Sequence, residues 1–340
     1  MKNAVKILLG IIIAVFVIVV LSVSGIYYLN KPVDNEPEER YFSVPKGSSL
    51  GEVADDLQKK NYIRSSLLFE GISKVKGTEN AIKSGFFQIP PGKSTFEIHS
   101  ILIEGKEVLR KITIPEGLTI KKLSSYLQEK GFADAETFLK TAHDPEIIKY
   151  AGLNSTTIEG LLYPDTYHLP LNYSEEKLIT HMIDTFYETV AEIYPDYKKL
   201  TKEELYQKII LASIIEREYR VSEEAPLISS VFMNRIADGM YLGSCATIEY
   251  IITEVQGKPH PRFLTYEDLE IESEYNTYTN IGLPPSPISN PGKTALEAAF
   301  YPAETSYRYF LLQDQEKGTH YFSENYDEHS RAKILYLKGS

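Results

Sequence analysis

One uncharged, apolar stretch near the start of the chain limits what the protein can fold into. It runs from Ile7 to Leu29, and about 20 apolar residues are enough to cross a bilayer as a helix. A cleaved signal peptide is the alternative, but its apolar region is usually about 7–15 residues long. This stretch is longer and ends with Tyr27 and Tyr28, which is typical of the aromatic belt at a membrane interface. The sequence therefore predicts an uncleaved transmembrane helix.

The charges on either side of this helix predict its orientation. Lys2 and Lys6 precede it, whereas Asp34 and Glu36 follow it. Because positively charged flanks stay on the cytoplasmic side, we expect the N-terminus in the cytoplasm and the remainder outside. The predicted location is a single-pass anchor in the cell (inner, cytoplasmic) membrane, followed by a polar, proline-containing tether.

The composition excludes one class of partner. The chain has 340 residues and a formal net charge of −11. Nucleic-acid binding relies on clustered Lys and Arg, and no run of five basic residues occurs, so no nucleic-acid partner is expected. The single cysteine, Cys245, cannot form an internal disulfide. We interpret it as a structural thiol, because a nucleophilic role would need an activating histidine nearby.

Three segments after the tether share one layout, at 44–63, 89–108 and 114–132. Each has a β-branched residue, a proline and a glycine, followed by an amphipathic helical pattern. Plausible helix N-caps are Ser48, Ser94 and Thr119. The strand–turn–helix order resembles the opening of LysM modules, which bind cell-wall glycans. A generic βα unit explains the pattern equally well, and both interpretations stay open.

The remainder of the chain is predicted to be mainly helical. Thr201 and Glu204 form a capping-box pattern before one helix. The segment 158–170 reads as a loop because prolines interrupt it, and 275–292 is too rich in Pro, Gly and Asn for regular structure. Further helices are predicted at 175–194, 227–236 and 293–303, with a closing β-hairpin at 307–313 and 318–324.

The helix that starts after Thr201 ends in a conspicuous carboxylate. Residues 209–215 are apolar on nearly all sides, as in a helix buried inside a domain. On a helical wheel Glu216 falls between Ile209 and Ala212, on a face whose other residues are predicted to be in the core. It either reaches the surface as a weak ion pair with Arg220, or lies in an apolar cleft with a raised pKa. The second arrangement would suit protonation of a glycosidic oxygen.

Common catalytic motifs do not occur in this sequence. It has no GxGxxG, P-loop, HExxH or GxSxG pattern. His260, His320 and His329 lack the spacing of a metal site, and we predict no metal and no other cofactor. The loop residues Tyr275, Asn276, Thr277 and Tyr278 combine polar groups with aromatic rings, which suits sugars. Packing of these rings on the core is the alternative.

Several separate segments closely resemble the YceG-like family of murein transglycosylases, in the same order. They are LASIIERE, SSVFMNRIADGMYL, EYNTYTNIGLPPSPISNPG, EGLLYPDTY, ALEAAFYPA and GTHYFSENYDEHSRA. The resemblance implies one N-terminal span, a LysM-like subdomain and a catalytic domain outside the cytoplasmic membrane. It implies a lytic transglycosylase that cleaves nascent peptidoglycan strands internally and ends their elongation. The implied partners are peptidoglycan glycan strands, the membrane and cell-wall synthases.

The resemblance also assigns residues. Glu216 aligns with the catalytic Glu of the family, and Glu224 with a second characteristic acidic residue. The expected substrate-binding residues are Glu224, Asn234, Arg235, Tyr275, Asn276, Thr277 and Tyr278. One departure concerns the usual Gln-Ser/Thr-Asp-Pro, which is replaced here by Gly243-Ser244-Cys245-Ala246. An Asp is therefore missing at Cys245, which could alter activity or specificity.

The expected chemistry uses one carboxyl group. Glu216 would protonate the glycosidic oxygen between N-acetylmuramic acid and N-acetylglucosamine, then accept the proton of the muramyl C6 hydroxyl, which closes a 1,6-anhydro ring. Two alternatives remain. One is a hydrolytic muramidase in which Glu224 or Glu159 activates water, and the other is a non-catalytic glycan-binding scaffold for cell-wall synthases.

The predicted fold class is α+β, with a transmembrane helix, a LysM-like βα-repeat subdomain and a mixed α/β catalytic domain. The predicted boundaries are 1–6 for the cytoplasmic N-terminus, 7–29 for the transmembrane helix, 30–42 for the tether, 43–135 for the LysM-like subdomain and 136–340 for the catalytic domain.

Overall fold

The computed structural model describes residues 2–33, 40–153, 155–171 and 173–336. The predicted tether falls largely outside these residues. The chain divides into two compact units, the first built from 1–111 with 168–172 and the second from 112–167 with 173–340. Mixed helices and strands follow an N-terminal apolar helix, in agreement with the predicted α+β class.

The first unit has a small core between two strands and three helices. Strands β1 and β2 pair antiparallel, with Phe42 opposite Phe87. These two rings are buried with Leu57, Phe69 and Leu102 from the helices. The elements are α1 (Lys2–Asn30), β1 (Arg40–Val44), α2 (Leu50–Lys59), α3 (Ser66–Lys76), β2 (Gly85–Ile89) and α4 (Thr95–Glu104), with β3 (Leu109–Thr113) at the junction of the units.

Helix α1 is long and apolar enough to cross a membrane, by length and composition. Its apolar side chains from residue 5 to residue 28 are exposed. At its end, the Asn30 side-chain oxygen accepts a hydrogen bond from the Phe96 amide (3.0 Å), and the Leu29 carbonyl accepts one from the Thr95 hydroxyl (3.3 Å). The helix is thus attached to the first turn of α4.

The three repeats each form a strand, a turn and a capped helix. Ser94 and Thr119 cap their helices as predicted. In the first repeat the cap is Ser49 and not Ser48, because the Ser49 hydroxyl accepts from the Glu52 amide and Glu52 completes a capping box. The similarity of this unit to LysM modules stays a prediction.

The second unit contains the other helices and the β5–β6 hairpin, whereas most of β4 (168–170) belongs to the first unit. Strands β3 and β4 form one two-stranded sheet, and β5 and β6 form the predicted hairpin, with Phe310 opposite Phe322. The elements are α5 (Ile120–Glu129), α6 (Ala135–Ala142), α7 (Pro145–Tyr150), β4 (Thr166–Pro170), α8 (Glu175–Ile193), α9 (Lys202–Glu218), α10 (Ala225–Ala237), α11 (Cys245–Tyr250), α12 (Tyr266–Leu269), α13 (Lys293–Phe300), β5 (Tyr309–Asp314), β6 (Thr319–Ser323) and α14 (Tyr326–Tyr336).

One expectation differs from this arrangement. The segment 158–170 is predicted to be a loop, but its end forms β4 because β3 offers an edge with which it can pair. The compact units divide between Lys111 and Ile112, and the third repeat helix, α5, packs on α6 in the second unit. The domain limit at 135 stays a prediction.

Helix α9 lies at the centre of the second unit. Its residues 209–215 are all buried, as the apolar pattern predicts, and the helix packs against α10, α11 and α13. The predicted capping box of Thr201 and Glu204 is present at its start. The position of its last turn is therefore set by core packing on several sides.

A buried amide and a buried carboxyl hold the irregular 275–292 segment beside α9. Asn290 Oδ1 accepts hydrogen bonds from the Gly160 and Leu162 amides, and its Nδ2 donates to Leu118 O and to Glu159 Oε1. Both Glu159 oxygens also accept from the Ile120 amide, at 3.1 Å. Burial raises the pKa of Glu159 to about 8. Hydrogen bonds, and not regular structure, thus fix this segment.

Replacing Glu159 should change how stability depends on pH. Because the pKa of Glu159 is raised in the fold, its favourable contribution is complete below its ordinary value of 4.5 and is lost as pH rises towards 8. A Glu159→Gln side chain does not ionise, so the melting temperature of the variant should fall less between pH 5 and 8. Differential scanning calorimetry of the full chain in detergent micelles measures this.

Glu188→Gln is the matched control, because Glu188 is exposed. Its melting temperature should follow that of the wild type at every pH. If the melting temperatures of the wild type and of Glu159→Gln fall equally between pH 5 and 8, that result would contradict a neutral, buried Glu159.

Candidate functional site

Two glutamates end α9, and they lie on different sides of it. Glu216 and Glu218 are two positions apart, and side chains at that spacing do not share a helix face. Glu216 faces the glycine-containing turns at Gly117 and Gly292. Glu218 lines a large cavity on the other side. The two carboxyls therefore belong to separate surroundings.

The surroundings of Glu216 are closely packed. Its Oε2 accepts a hydrogen bond from the Gly292 amide at 2.9 Å. Glu116 lies against Gly292, and a Cβ at Gly292 would be 1.9 Å from Glu116 Oε1, so a larger residue there would displace the Glu116 side chain. Burial raises the pKa of Glu216 to about 7; the Gly292 hydrogen bond opposes the rise and the Glu116 charge adds to it. Of the two arrangements left open for Glu216, the one with a raised pKa agrees with these surroundings.

The alternative of a surface ion pair to Arg220 is not what the structure contains. Within the described residues no ion pair joins Glu216 to Arg220, and Arg220 lines the cavity on the Glu218 side. The Glu216 carboxyl is directed to the Gly292 amide.

The cavity at Glu218 has a volume of about 660 Å³. Its walls come from the ends of α9 and α10, the start of α11, the β5–β6 hairpin and α14. Aromatic, cationic and carboxyl side chains all contribute to it. The side chains that bear on its chemistry are Arg217, Glu218, Arg220, Arg235, Ser244, Cys245, Glu249, Tyr278, Tyr309, Phe310, His320, Tyr326, His329 and Lys333.

Glu218 is held by one short hydrogen bond. The Ser244 hydroxyl donates to Glu218 Oε1. Ser244 is itself fixed, since its amide donates to Thr277 Oγ1 at 3.0 Å and its carbonyl accepts from the Thr247 hydroxyl at 2.8 Å. Burial raises the pKa of Glu218, whereas the Ser244 hydrogen bond and the charge of His320 oppose the rise. Glu218 thus lines the cavity with one of its carboxyl oxygens held by Ser244.

Cys245 lies in the same wall. Its Sγ is 3.1 Å from the Tyr278 hydroxyl, and burial raises the pKa of the thiol. A thiol with a raised pKa is a weak nucleophile at neutral pH. Where relatives are expected to carry an Asp carboxylate, this cavity therefore has a neutral side chain.

A histidine and a glutamate are paired at the edge of the cavity. Both Glu224 oxygens accept from the His320 amide, at 3.0 and 3.1 Å, and Oε2 is 2.7 Å from the ring Nδ1. The Glu224 side chain, predicted to contact substrate, is thus used to hold His320. His320, and not Glu224, lines the cavity.

The other predicted site residues divide into two groups. Arg235 and Tyr278 line the cavity, and Thr277 supports it through Ser244. The remaining three stabilise loops: Asn234 donates to the Thr305 and Tyr307 carbonyls, Asn276 to the Leu269 and Ile271 carbonyls, and Tyr275 contacts the Ser286 hydroxyl.

Sequence reasoning missed Glu218, Ser244 and His320. The signal available for Glu218 was its place in the same ERE triplet as Glu216, but the apolar pattern drew attention to the first glutamate. Nothing local marked Ser244 or His320, because their relation to Glu218 arises only in the tertiary structure.

A metal site is not formed by the candidate histidines. His320 and His329 line the cavity, and His260 instead pairs with Glu249 at 3.3 Å. Across the part of the chain that the structure describes, no group of three or more His, Cys, Asp or Glu side chains is placed to hold a metal ion.

Comparison with known proteins gives consistent matches. The model of the YceG-like family matches residues 42–334. An endolytic murein transglycosylase of Bacillus subtilis is 32% identical over 91% of this chain and 88% of its own length. One from Streptococcus pneumoniae is 28% identical over 88% of this chain, which spans 59% of that protein. A crystal structure of a YceG-like protein from Listeria monocytogenes has a TM-score of 0.57 at 32% identity, covering 87% of this chain and 99% of that one.

The charge of Glu116 can be tested through Glu216. Because that charge raises the pKa of Glu216, a Glu116→Gln variant should lower it below about 7. Carbon-13 NMR titration of labelled glutamate carboxyls measures the change, with Glu216→Gln to assign the signal. The control Glu188→Gln should leave the pKa of Glu216 unchanged. An unchanged or higher Glu216 pKa in Glu116→Gln would contradict the effect of the Glu116 charge on Glu216.

Proposed function

Because the chain belongs to the YceG-like family, we propose that it is an endolytic murein transglycosylase in which Glu218 is the proton donor. The observation that carries the assignment is a partly buried carboxyl, held at one oxygen by Ser244, in a cavity of about 660 Å³. Peptidoglycan glycan strands are the substrate.

The proposed reaction uses Glu218 in its neutral form. Its raised pKa keeps a proton available closer to neutral pH than for an ordinary glutamate. Glu218 gives this proton to the glycosidic oxygen between N-acetylmuramic acid and N-acetylglucosamine while the bond to C1 breaks. The muramyl C6 hydroxyl attacks C1 and loses its proton. The products are a free N-acetylglucosamine 4-hydroxyl and a 1,6-anhydromuramyl end.

Glu218 suits this role better than Glu216, the residue that the sequence pattern indicated. Both have raised pKa values, so acidity alone does not separate them. Glu216 is directed at the Gly292 amide beside the Glu116 side chain. Glu218 opens on a cavity wide enough for sugar rings, and general acid catalysis requires hydrogen-bond reach of the substrate.

The cavity walls also suit this substrate. Tyr278, Tyr309 and Phe310 offer aromatic surfaces for sugar rings. Four basic side chains and only two glutamates line the cavity, in a chain whose net charge is −11. Stem-peptide carboxylates on the glycan strand would be attracted to such a wall.

The rival functions lose the residues on which they depended. For hydrolysis, Glu159 is buried against the Ile120 amide and Glu224 is bound to His320, so neither suits activation of water beside Glu218. For a scaffold without catalysis, the motivation was the missing Asp at Cys245. That departure leaves the Ser244–Glu218 contact intact.

Location and biological role form part of the proposal. The apolar helix α1 supports a single-pass anchor, and the lysines before it support a cytoplasmic N-terminus. The second unit then lies outside the membrane, where nascent strands are made. The βα repeats bind glycan in the manner of LysM modules, and cleavage ends strand elongation beside a cell-wall synthase.

Exchanging each glutamate in turn tests the assignment. Full-length Glu218→Gln in detergent should lose glycan cleavage by at least about 100-fold, the usual contribution of a general acid. Glu216→Gln, of matched size and chemistry, should stay within about fivefold of the wild type. Mass spectrometry of muropeptides from uncrosslinked strands measures both rate and product. Equal losses in both variants, or a fully active Glu218→Gln, would contradict Glu218 as the donor.

The products distinguish the three functions in the same experiment. Anhydromuramyl ends support the lytic reaction, whereas new reducing ends would mean hydrolysis. Strand binding by the folded wild type without cleavage would mean a scaffold.

Cys245→Asp tests the departure from the family motif. An added carboxylate near Glu218 should raise the pKa of Glu218 further, so the decline of kcat at alkaline pH should move to higher pH. Cys245→Asn, which adds no charge, should leave the alkaline decline of kcat at its wild-type pH. An alkaline decline that moves equally in both variants would contradict an electrostatic effect.

A further inference from the structure

His320 occupies a position that the proposed reaction has not used. His320 lines the Glu218 cavity, and its side chain is only 6% exposed. We propose that His320 is the base that accepts the C6 hydroxyl proton, and that Glu224 is the positioning residue that holds it. This inference rests on the proposed function.

The contacts of Glu224 define which ring nitrogen is available. Oε2 of Glu224 is 2.7 Å from His320 Nδ1, and both oxygens bind the His320 amide. A carboxylate only accepts hydrogen bonds, so Nδ1 carries a proton. Nε2 is then the acceptor nitrogen, and it forms no hydrogen bond to any of the described protein groups. Fixing one nitrogen in order to expose the other is how a carboxylate prepares a histidine as a base.

The ring is also fixed in orientation. His320 lies on β6, and its ring packs edge-on against Phe310 of the neighbouring strand, with centroids 5.6 Å apart. Glu224 directly precedes α10, far away in sequence, and its side chain is 14% exposed. Hairpin and helix thus hold the imidazole from two sides, as a proton acceptor requires.

With Glu218 as the donor and His320 as the acceptor, one group gives a proton and the other takes one, so no single side chain has to do both. Glu218 gives its proton to the leaving oxygen as the C1–oxygen bond breaks. The C6 oxygen bonds to C1, its O–H bond breaks, and that proton goes to His320 Nε2. The enzyme is left with a Glu218 carboxylate and a His320 imidazolium, and a proton passes back through solvent. No water is consumed, and Glu218 need not reach both substrate oxygens.

The two groups also influence each other. A charge on His320 lowers the pKa of Glu218, so the imidazolium formed in the reaction favours the carboxylate formed with it. The charged and titratable groups packed around His320 are Glu224 beside it and, across the cavity, Arg217, Glu218, Arg220, Arg235, Cys245, Glu249, Tyr278, Tyr309, Tyr326, His329 and Lys333.

The experiment removes the imidazole and then supplies it again. In the full chain, His320→Gly should lower kcat for anhydromuramyl formation by about 100-fold, the scale of general base catalysis. Added imidazole should raise the kcat of this variant at least tenfold. His143→Gly, at an exposed position, should keep wild-type rates with and without imidazole.

Glu224→Gln separates positioning from catalysis. Loss of the carboxylate removes the contact that holds His320 Nδ1, so kcat should fall about tenfold, with KM little changed. A Glu224→Gln variant with wild-type kcat would contradict the assigned role of Glu224.

Two results would overturn the inference. One is a His320→Gly variant within about threefold of wild-type kcat, and the other is a folded, strand-binding His320→Gly variant that imidazole does not rescue. Failure of the proposed function is distinguishable, because it would appear as an active Glu218→Gln variant whatever the His320 results.

Discussion

The burial of α9 between α10, α11 and α13 fixes the position of both candidate carboxyls. Each large apolar side chain removed from water contributes roughly 1.5–3 kcal/mol, and residues 209–215 are all buried. The last turn cannot turn about its axis without exposing that core. Glu216 and Glu218 are therefore held on their respective sides, and the irregular segments that contact them have a rigid surface on which to pack.

On the two sides of the last turn of α9, burial raises the pKa of Glu216 and of Glu218, but the two carboxyls have different neighbours. Around Glu216, glycine turns and the Glu116 side chain approach closely, and the carboxyl completes a backbone contact at Gly292. Around Glu218, one oxygen is held by Ser244 and the side chain lines the cavity of about 660 Å³. A raised pKa thus marks both residues, whereas only Glu218 lines this cavity.

Local patterns predicted much of the fold. The N-terminal apolar helix, the three strand–turn–helix repeats, the capped apolar helix and the C-terminal hairpin all follow from spacing and capping within about 20 residues. The choice between Glu216 and Glu218 did not, because it depends on Ser244 and on the hairpin that carries His320. The unit boundary at Lys111 likewise depends on packing of α5 against α6, which the repeat pattern does not contain.

The thiol in the cavity wall gives this protein a built-in attachment point. Cys245 is the only cysteine of the chain, and it is exposed beside Tyr278. A thiol-selective fluorophore or spin label would therefore mark the cavity and no other position, without any engineering of the sequence. Because the pKa of Cys245 is raised, coupling would be slow at neutral pH and faster in alkaline buffer. Occupancy of the cavity by a glycan strand could then be followed as protection from the reagent.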